Sequence, residues 1–252
     1  MGLRLGPAGV AALFVVVGAV VVSPNGGRGA RAGTCLAPAG TDARLQAVDG
    51  RARLAWIDQR LSAVAAQGRL WTWGWAIGIG AAGVASLVPV PFVSAGDRVD
   101  WYAGAASAAI GVVPFLLSPL SVTHDGPKLH AAVMAAAPLD DDGRVCTLLA
   151  DAEWMLAADA ANQRWQQGWW IHAGNIAFNT GVMLFLGLGY HHWTSGIING
   201  VAGAAVGETI IFTQPTGSID DLAAYQRGEL GGGAARASDS SPAWRLVYRA
   251  MF

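Results

Sequence analysis

Charge is scarce in this sequence. Acidic and basic residues make up 13% of its 252 positions against 53% hydrophobic ones, with a mean hydropathy of +0.39. Soluble domains carry about a quarter charged residues, so this balance points away from them and toward a membrane. The net charge is −1 and no basic patch or stripe is present, which removes the electrostatic footprint of a nucleic-acid-binding protein. Cysteine is rarer still, with only Cys35 and Cys146. What the chain has in quantity is Gly, at 34, and Trp, at 11. Gly is more frequent in membrane helices than in soluble ones, and Trp gathers at the bilayer interface. A GC-rich coding sequence accounts for the abundant Ala but not for the uncharged runs.

Residues 1–32 read as a secretory signal peptide or an N-terminal anchor. Arg4 precedes an apolar run, Ala8 to Val22, and small and polar residues continue as far as Ala30-Arg31-Ala32. The apolar core is about 15 residues long, short of the roughly 20 that a span needs. Left uncut, the segment becomes an anchor and the remaining topology is unchanged. Lipidation at Cys35 is disfavoured, because Thr34 stands where a small residue is needed.

Beyond it, Leu54, Ile57, Leu61 and Val64 recur at helical spacing with Arg51, Arg53, Asp58, Arg60 and Gln67 between them, predicting an amphipathic helix within Ala43–Gly68. Charge then vanishes from Leu70 to Gly96, giving a first span at about 70–93 despite Pro89-Val90-Pro91. Asp97, Arg98 and Asp100 form a polar turn, and a second span returns at about 101–122. Residues 124–164 are polar, with a turn at Asp140-Asp141-Asp142-Gly143 and a helix from about Val145. A third span at about 168–190, a turn at His191-His192 and a fourth span at about 193–213 make a second hairpin. Residues 220–252 form a polar tail, expected to be mobile around Gly231-Gly232-Gly233 and a Ser-rich linker. The fold class is therefore an all-α membrane protein with four transmembrane helices in two tandem units, 33–123 and 124–219, each a polar helix with a hairpin after it.

The two units echo each other. Ala66-Gln67-Gly68-Arg69 with Trp73, Trp75 and Gly78 answers to Ala161-Asn162-Gln163-Arg164 with Trp169, Trp170 and Gly174. Trp101 with Gly104 and Gly111 answers to Trp193 with Gly196 and Gly203 at one constant offset. Shared interfacial Trp and helical Gly composition also yields matches of this kind. With an even number of spans, both copies enter from the same face, so a pseudo-symmetry axis runs along the membrane normal and an inverted-repeat transporter is disfavoured.

Cys35 and Cys146 fall on one face of this topology and can pair. A disulfide there implies an oxidising side, hence loops and tail outside the cytoplasm of a bacterial-type inner membrane. The distribution of Arg runs against the positive-inside rule, which weakens for segments led across by a signal and for long loops. A Cys-x-x-Cys pair is absent, so resemblance to membrane thiol oxidases fails at its essential motif. At the C-terminus, Trp244, Leu246, Tyr248, Ala250 and Phe252 alternate with Arg245, Val247, Arg249 and Met251. This nine-residue pattern resembles the closing strand of outer-membrane barrels, which keeps an outer-membrane home open as an alternative. No further alternating strands precede it.

One polar cluster lies within the apolar runs. His172, Asn175 and Asn179 share a helix face on the third span, and Glu208 is the single acidic group of the fourth, at a depth where it meets Asn175. An unpaired carboxylate in lipid is costly, so Glu208 faces inward. Three roles fit: hydrogen-bonding glue between helices, a small-ligand or ion site, or an acid–base pair of His172 and Glu208. No nucleophile or metal set accompanies them, so no catalytic residue, metal or cofactor is assigned. His191-His192 lacks a third ligand. Gly196, Gly200, Gly203 and Gly207 form a stripe of small residues, a packing face within the bundle or for self-association. The functional expectation is an envelope membrane protein with a structural, assembly or interaction role. Its expected partners are membrane lipids and, through the Gly stripe, another protein or a second copy of the chain. The alternative is ligand, proton or ion binding or transport around His172 and Glu208.

Overall fold

The structure is a computed structural model and describes residues 35–232. Both the expected signal or anchor at 1–32 and the alternating segment at 244–252 lie outside the described residues. Within them the chain is helical, with no strand. Asp49 opens the main helix, α2 (Gly50–Leu87), which comes after a single turn, α1 (Ala43–Gln46). The Asp49 carboxylate accepts from the N–H groups of Arg51 at 2.9 Å and Ala52 at 3.3 Å, satisfying donors that a helix start leaves free.

From that cap α2 runs unbroken for 38 residues, about 57 Å at 1.5 Å per residue. The amphipathic helix and the first span are therefore one rod, not two elements. It stops at Leu87, earlier than the expected boundary near 93, because Pro89 and Pro91 cannot supply the N–H groups a helix needs. The return span, α3 (Arg98–Leu117), likewise ends short of 122, at Ser118-Pro119. The chain then forms α4 (Val122–Ala135), a helix where the sequence suggests a polar loop. It docks on α2 at Gly126, where a Cβ would stand 2.8 Å from the Leu61 carbonyl oxygen; only Gly allows this approach.

Asp140–Gly143 is a helix start and not a turn: Asp141 accepts from the Gly143 N–H at 2.9 Å and caps α5 (Asp142–Gln166). After a break at Gln167-Gly168 come α6 (Trp169–Tyr190) and α7 (Trp193–Phe212), joined by His191 in a left-handed conformation at φ 59°. The start of the expected mobile tail is ordered. Residues 220–226 belong to α8 (Gly217–Gln226), which packs on α5 with Ser218, Asp221 and Tyr225 buried. Asp221 and Tyr225 answer buried arginines, which is why this polar segment is not released to solvent.

Two layers result. The first half of α2, together with α1, α4, α5 and α8, encloses a cap whose core includes Leu45, Leu54, Ile57, Leu61, Leu129, Leu149 and Leu156. The second half of α2 with α3, and α6 with α7, form two hairpins that present apolar side chains outward, among them Leu70, Ile77, Phe92, Leu117, Leu188, Ile198 and Phe212. Four helices are long and apolar enough to cross a membrane. Apolar surface facing outward on this scale marks a membrane protein. At the end remote from the cap, the His192 Nδ1 lies 2.8 Å from Asp100 Oδ1 and ties the two hairpin turns together.

The cap is held by buried charge. Arg53 is 0% exposed. Its Nε donates to the Tyr225 hydroxyl at 2.8 Å, its Nη1 to the Cys35 carbonyl at 3.1 Å, and its Nη2 to Glu153, which also accepts from Tyr225. Burial, reinforced by Glu153, pushes the Tyr225 hydroxyl up and keeps it a donor. One heptad on, the Arg60 Nε donates to Asp221 Oδ1 at 2.6 Å. Cys35 and Cys146 are joined in a disulfide across 111 residues of chain. Closing a loop of that length contributes about 5 kcal/mol in the chain-entropy account.

A third buried carboxyl behaves differently. Asp159 accepts from the Ser121 hydroxyl at 2.5 Å, and its other carboxyl oxygen has no hydrogen-bond partner among the described residues. Burial above all, with Asp125 adding to it and the Ser121 hydrogen bond opposing, pushes it up to about 7. Its folded value lies above the unfolded one near 3.8, so the stability it contributes is complete below about pH 4 and is lost as pH rises through 7. Burial also raises Asp221 against the pull of Arg60, in the same direction. The midpoint of thermal unfolding in detergent is expected to fall between pH 5 and pH 8, and Asp159→Asn to flatten most of that slope. An unchanged slope in the variant would contradict the assignment.

Candidate polar site in the second hairpin

Gly196, Gly200, Gly203 and Gly207 fall on one face of α7, and α6 lies against that face. A Cβ at Gly196 would stand 2.7 Å from the Met183 carbonyl oxygen, and one at Gly200 would stand 3.0 Å from that of Asn179. At Gly203 and Gly207 it would overlap the side-chain oxygens of Asn179 and Asn175. The stripe thus opens the space that the α6 asparagines fill.

His172, Asn175 and Asn179 recur on α6 at steps of three and four, so all three point at α7. The structure brings them together with Glu208. His172 Nδ1 lies 2.5 Å from Glu208 Oε2, and Asn175 Nδ2 donates to Oε1 at 2.9 Å, so each carboxylate oxygen has a partner. The same amide reaches the Ala204 carbonyl at 3.0 Å, and Asn179 donates to the Asn175 side-chain oxygen at 2.9 Å. The His172 ring packs beside Phe212, 5.4 Å between centroids. The result is a ladder of hydrogen bonds descending from the cap end into the hairpin. Its upper rung stays accessible, with the His172 and Glu208 side chains 30% and 24% exposed.

This arrangement can fix two helices, and it leaves an ionisable pair partly exposed at the cap end of the hairpin. Among the described residues no three His, Cys, Asp or Glu side chains gather in a way that could hold a metal ion. His191 and His192 stand apart from the cluster at the opposite end, His191 as the cap of α6 and His192 on Asp100.

A tie between the two hairpins is not visible in the sequence. Trp71 and Trp75 both donate to the Thr213 hydroxyl, at 3.3 and 3.2 Å, and so tie α2 to the end of α7. Elsewhere the hairpins meet sparingly, and two cavities lie between them, of about 520 Å³ and about 320 Å³. Compared with known protein families, curated proteins and solved structures, the chain matches none.

The tight fit of α6 on α7 generates a direct test. Gly203→Leu is expected to lower stability in detergent by about 3 kcal/mol, as overpacking does. Gly174→Leu, at a glycine with open space around it, is expected to be neutral. Equal stability of the two variants in chemical denaturation would refute the packing role.

Proposed function

We propose that this chain is a structural or assembly component of a bacterial-type cell envelope, built from a duplicated unit and carrying its cap outside the cytoplasm. Support for the duplication comes from burial. Every buried residue of α5 has a buried counterpart in α2 at the offset set by Gln67-Gly68-Arg69 and Asn162-Gln163-Arg164: Val145 with Gly50, Leu149 with Leu54, Ala152 with Ile57, Met155 with Arg60, Leu156 with Leu61, Asp159 with Val64, Ala160 with Ala65 and Gln163 with Gly68. The offset relating Trp193 to Trp101 similarly pairs Gln214 with Val122, Ser218 with Gly126 and Asp221 with Leu129, all buried. On this reading the units are α2–α3–α4 and α5–α6–α7–α8, each ending in a short helix folded back onto its own polar helix.

The observation that carries the functional reading is where the buried charge sits. Arg53 and Arg60 belong to the first unit; Glu153, Asp221 and Tyr225 belong to the second. Charges divided in this way favour pairing of unlike units and penalise pairing of like ones, since a buried charge without its partner is strongly destabilising. Polar groups spent on joining helices are what a rigid scaffold requires. Trp154, 64% exposed on the cap, is the kind of side chain that protein interfaces recruit. The disulfide favours an oxidising side for the cap. In intact cells, a membrane-impermeant maleimide is expected to label Cys35 and Cys146 only after reduction. Labelling without reductant, or only after lysis, would remove the proposed orientation.

A second reading, a proton or small-ion site, draws on the close contact of His172 with Glu208 and their residual exposure. Glu208→Gln separates the two. Glue predicts a loss of about 1–2 kcal/mol of stability. A binding site predicts unchanged or raised stability together with loss of any pH-dependent uptake by reconstituted vesicles.

A further inference from the structure

We propose that Asp159 and Asp125 share one proton, and that losing it parts α4 from α5, which makes their contact a pH-operated joint where the second span leaves the membrane. Ser121 is the pivot. It stands at the link between α3 and α4, where its hydroxyl donates to Asp159 Oδ1 at 2.5 Å and its N–H to the Asn162 side-chain oxygen at 3.4 Å, both on α5. Asp125 follows one turn later on α4, its N–H bonded to the Ser121 carbonyl at 3.0 Å, so its side chain lies on the face that meets α5. Asp159 itself is 0% exposed, and its Oδ2 has no donor. A buried carboxylate oxygen left so is far costlier than a neutral carboxyl. A proton on Oδ2 turns that oxygen into a donor, and the Asp125 carboxylate beside it is the acceptor.

Two carboxyl groups in contact ionise in sequence, because the second charge must form against the first. Burial, opposed by the Ser121 hydrogen bond and helped by Asp125, holds Asp159 at about 7. Other charges on the packed elements are engaged or in solvent: Arg60 of α2 and Asp221 of α8 bind each other, Asp58 of α2 is on His130, and His124 and Lys128 of α4 are exposed. The closed joint binds the proton more tightly than an open one, so it is fully favoured below about pH 4 and weakens as pH rises through 7. Above that, the proton passes to water and two negative charges stand inside one contact. Because α4 packs chiefly on α2 and meets α5 sparingly, their repulsion separates α4 from α5 and leaves the rest of the cap folded. Ser118, Pro119 and Leu120 of the α3–α4 link share the lining of the cavity of about 320 Å³ with Trp165 and Gln166 of α5, so separation widens that cavity at its cap end.

The test uses the full-length protein in an ester-free detergent between pH 5 and pH 8, read by infrared spectroscopy of its carboxyl groups and by hydrogen exchange corrected for the intrinsic rate. Wild type is expected to show a protonated-carboxyl band that titrates away at about 7. Over the same range, amides in the first turns of α4 are expected to lose protection at least about tenfold. Asp159→Asn is expected to lack the band and to keep α4 protection constant. Asp125→Asn is expected to keep the band but to move its midpoint down by about one pH unit, since the neighbouring charge is gone. Asp125→Asn carries the test should Asp159→Asn misfold, as judged by its disulfide and circular dichroism. The proposal is overturned if wild type has no such band, or if Asp125→Asn leaves the midpoint where it was. It is equally overturned if α4 protection in wild type does not change with pH, or changes as much in Asp159→Asn.

Discussion

Arg53 is a cation with no access to water, and the cap is arranged around that constraint. Removing a guanidinium from water costs several kcal/mol unless its hydrogen bonds and charge are met inside the protein. Three separate parts of the chain meet them: the Cys35 carbonyl before α1, Glu153 on α5 and Tyr225 on α8. Each is thereby fixed relative to α2. The disulfide then fastens residue 35 to α5 at the same end, so the charge cluster and the covalent link act on one junction. Because α2 continues without a break into the membrane layer, the position of the cap dictates the position of the first span.

The second hairpin solves another problem. Lipid offers no hydrogen-bond partners, so the amides of Asn175 and Asn179 and the carboxylate of Glu208 must be satisfied by one another and by the backbone. Small residues on α7 make the room. This close, polar interlock contrasts with the loose meeting of the two hairpins, where Gly and Ala line open space and the Trp71 and Trp75 contacts to Thr213 supply the tie near the cap. A rigid cap thus stands over two hairpins that leave open space between them along much of their length.

How much of the fold is legible in the sequence depends on which forces act locally. The third and fourth spans can be read from runs with at most one charged residue, because exclusion of charge from lipid acts on each residue by itself. The continuity of α2 cannot, since composition changes at Arg69 while the helix does not. His172, Asn175 and Asn179 are visible through helical periodicity, and Glu208 because it is the single carboxylate of its span. Arg53 and Arg60 read as a solvated face because their partners lie 100 and 161 residues away, beyond any local pattern. The same distance hides α8: Asp221 and Tyr225 look like tail residues until the arginines they answer are known.

Whether buried charge joins α2 to α5 can be measured in a double-mutant cycle on Arg53→Met and Glu153→Leu, by chemical denaturation in detergent. Each single change strands a buried charge and is expected to cost about 3–5 kcal/mol, while the pair together costs far less than their sum, a coupling of at least about 2 kcal/mol. Additivity of the two changes to within about 0.5 kcal/mol would contradict the account.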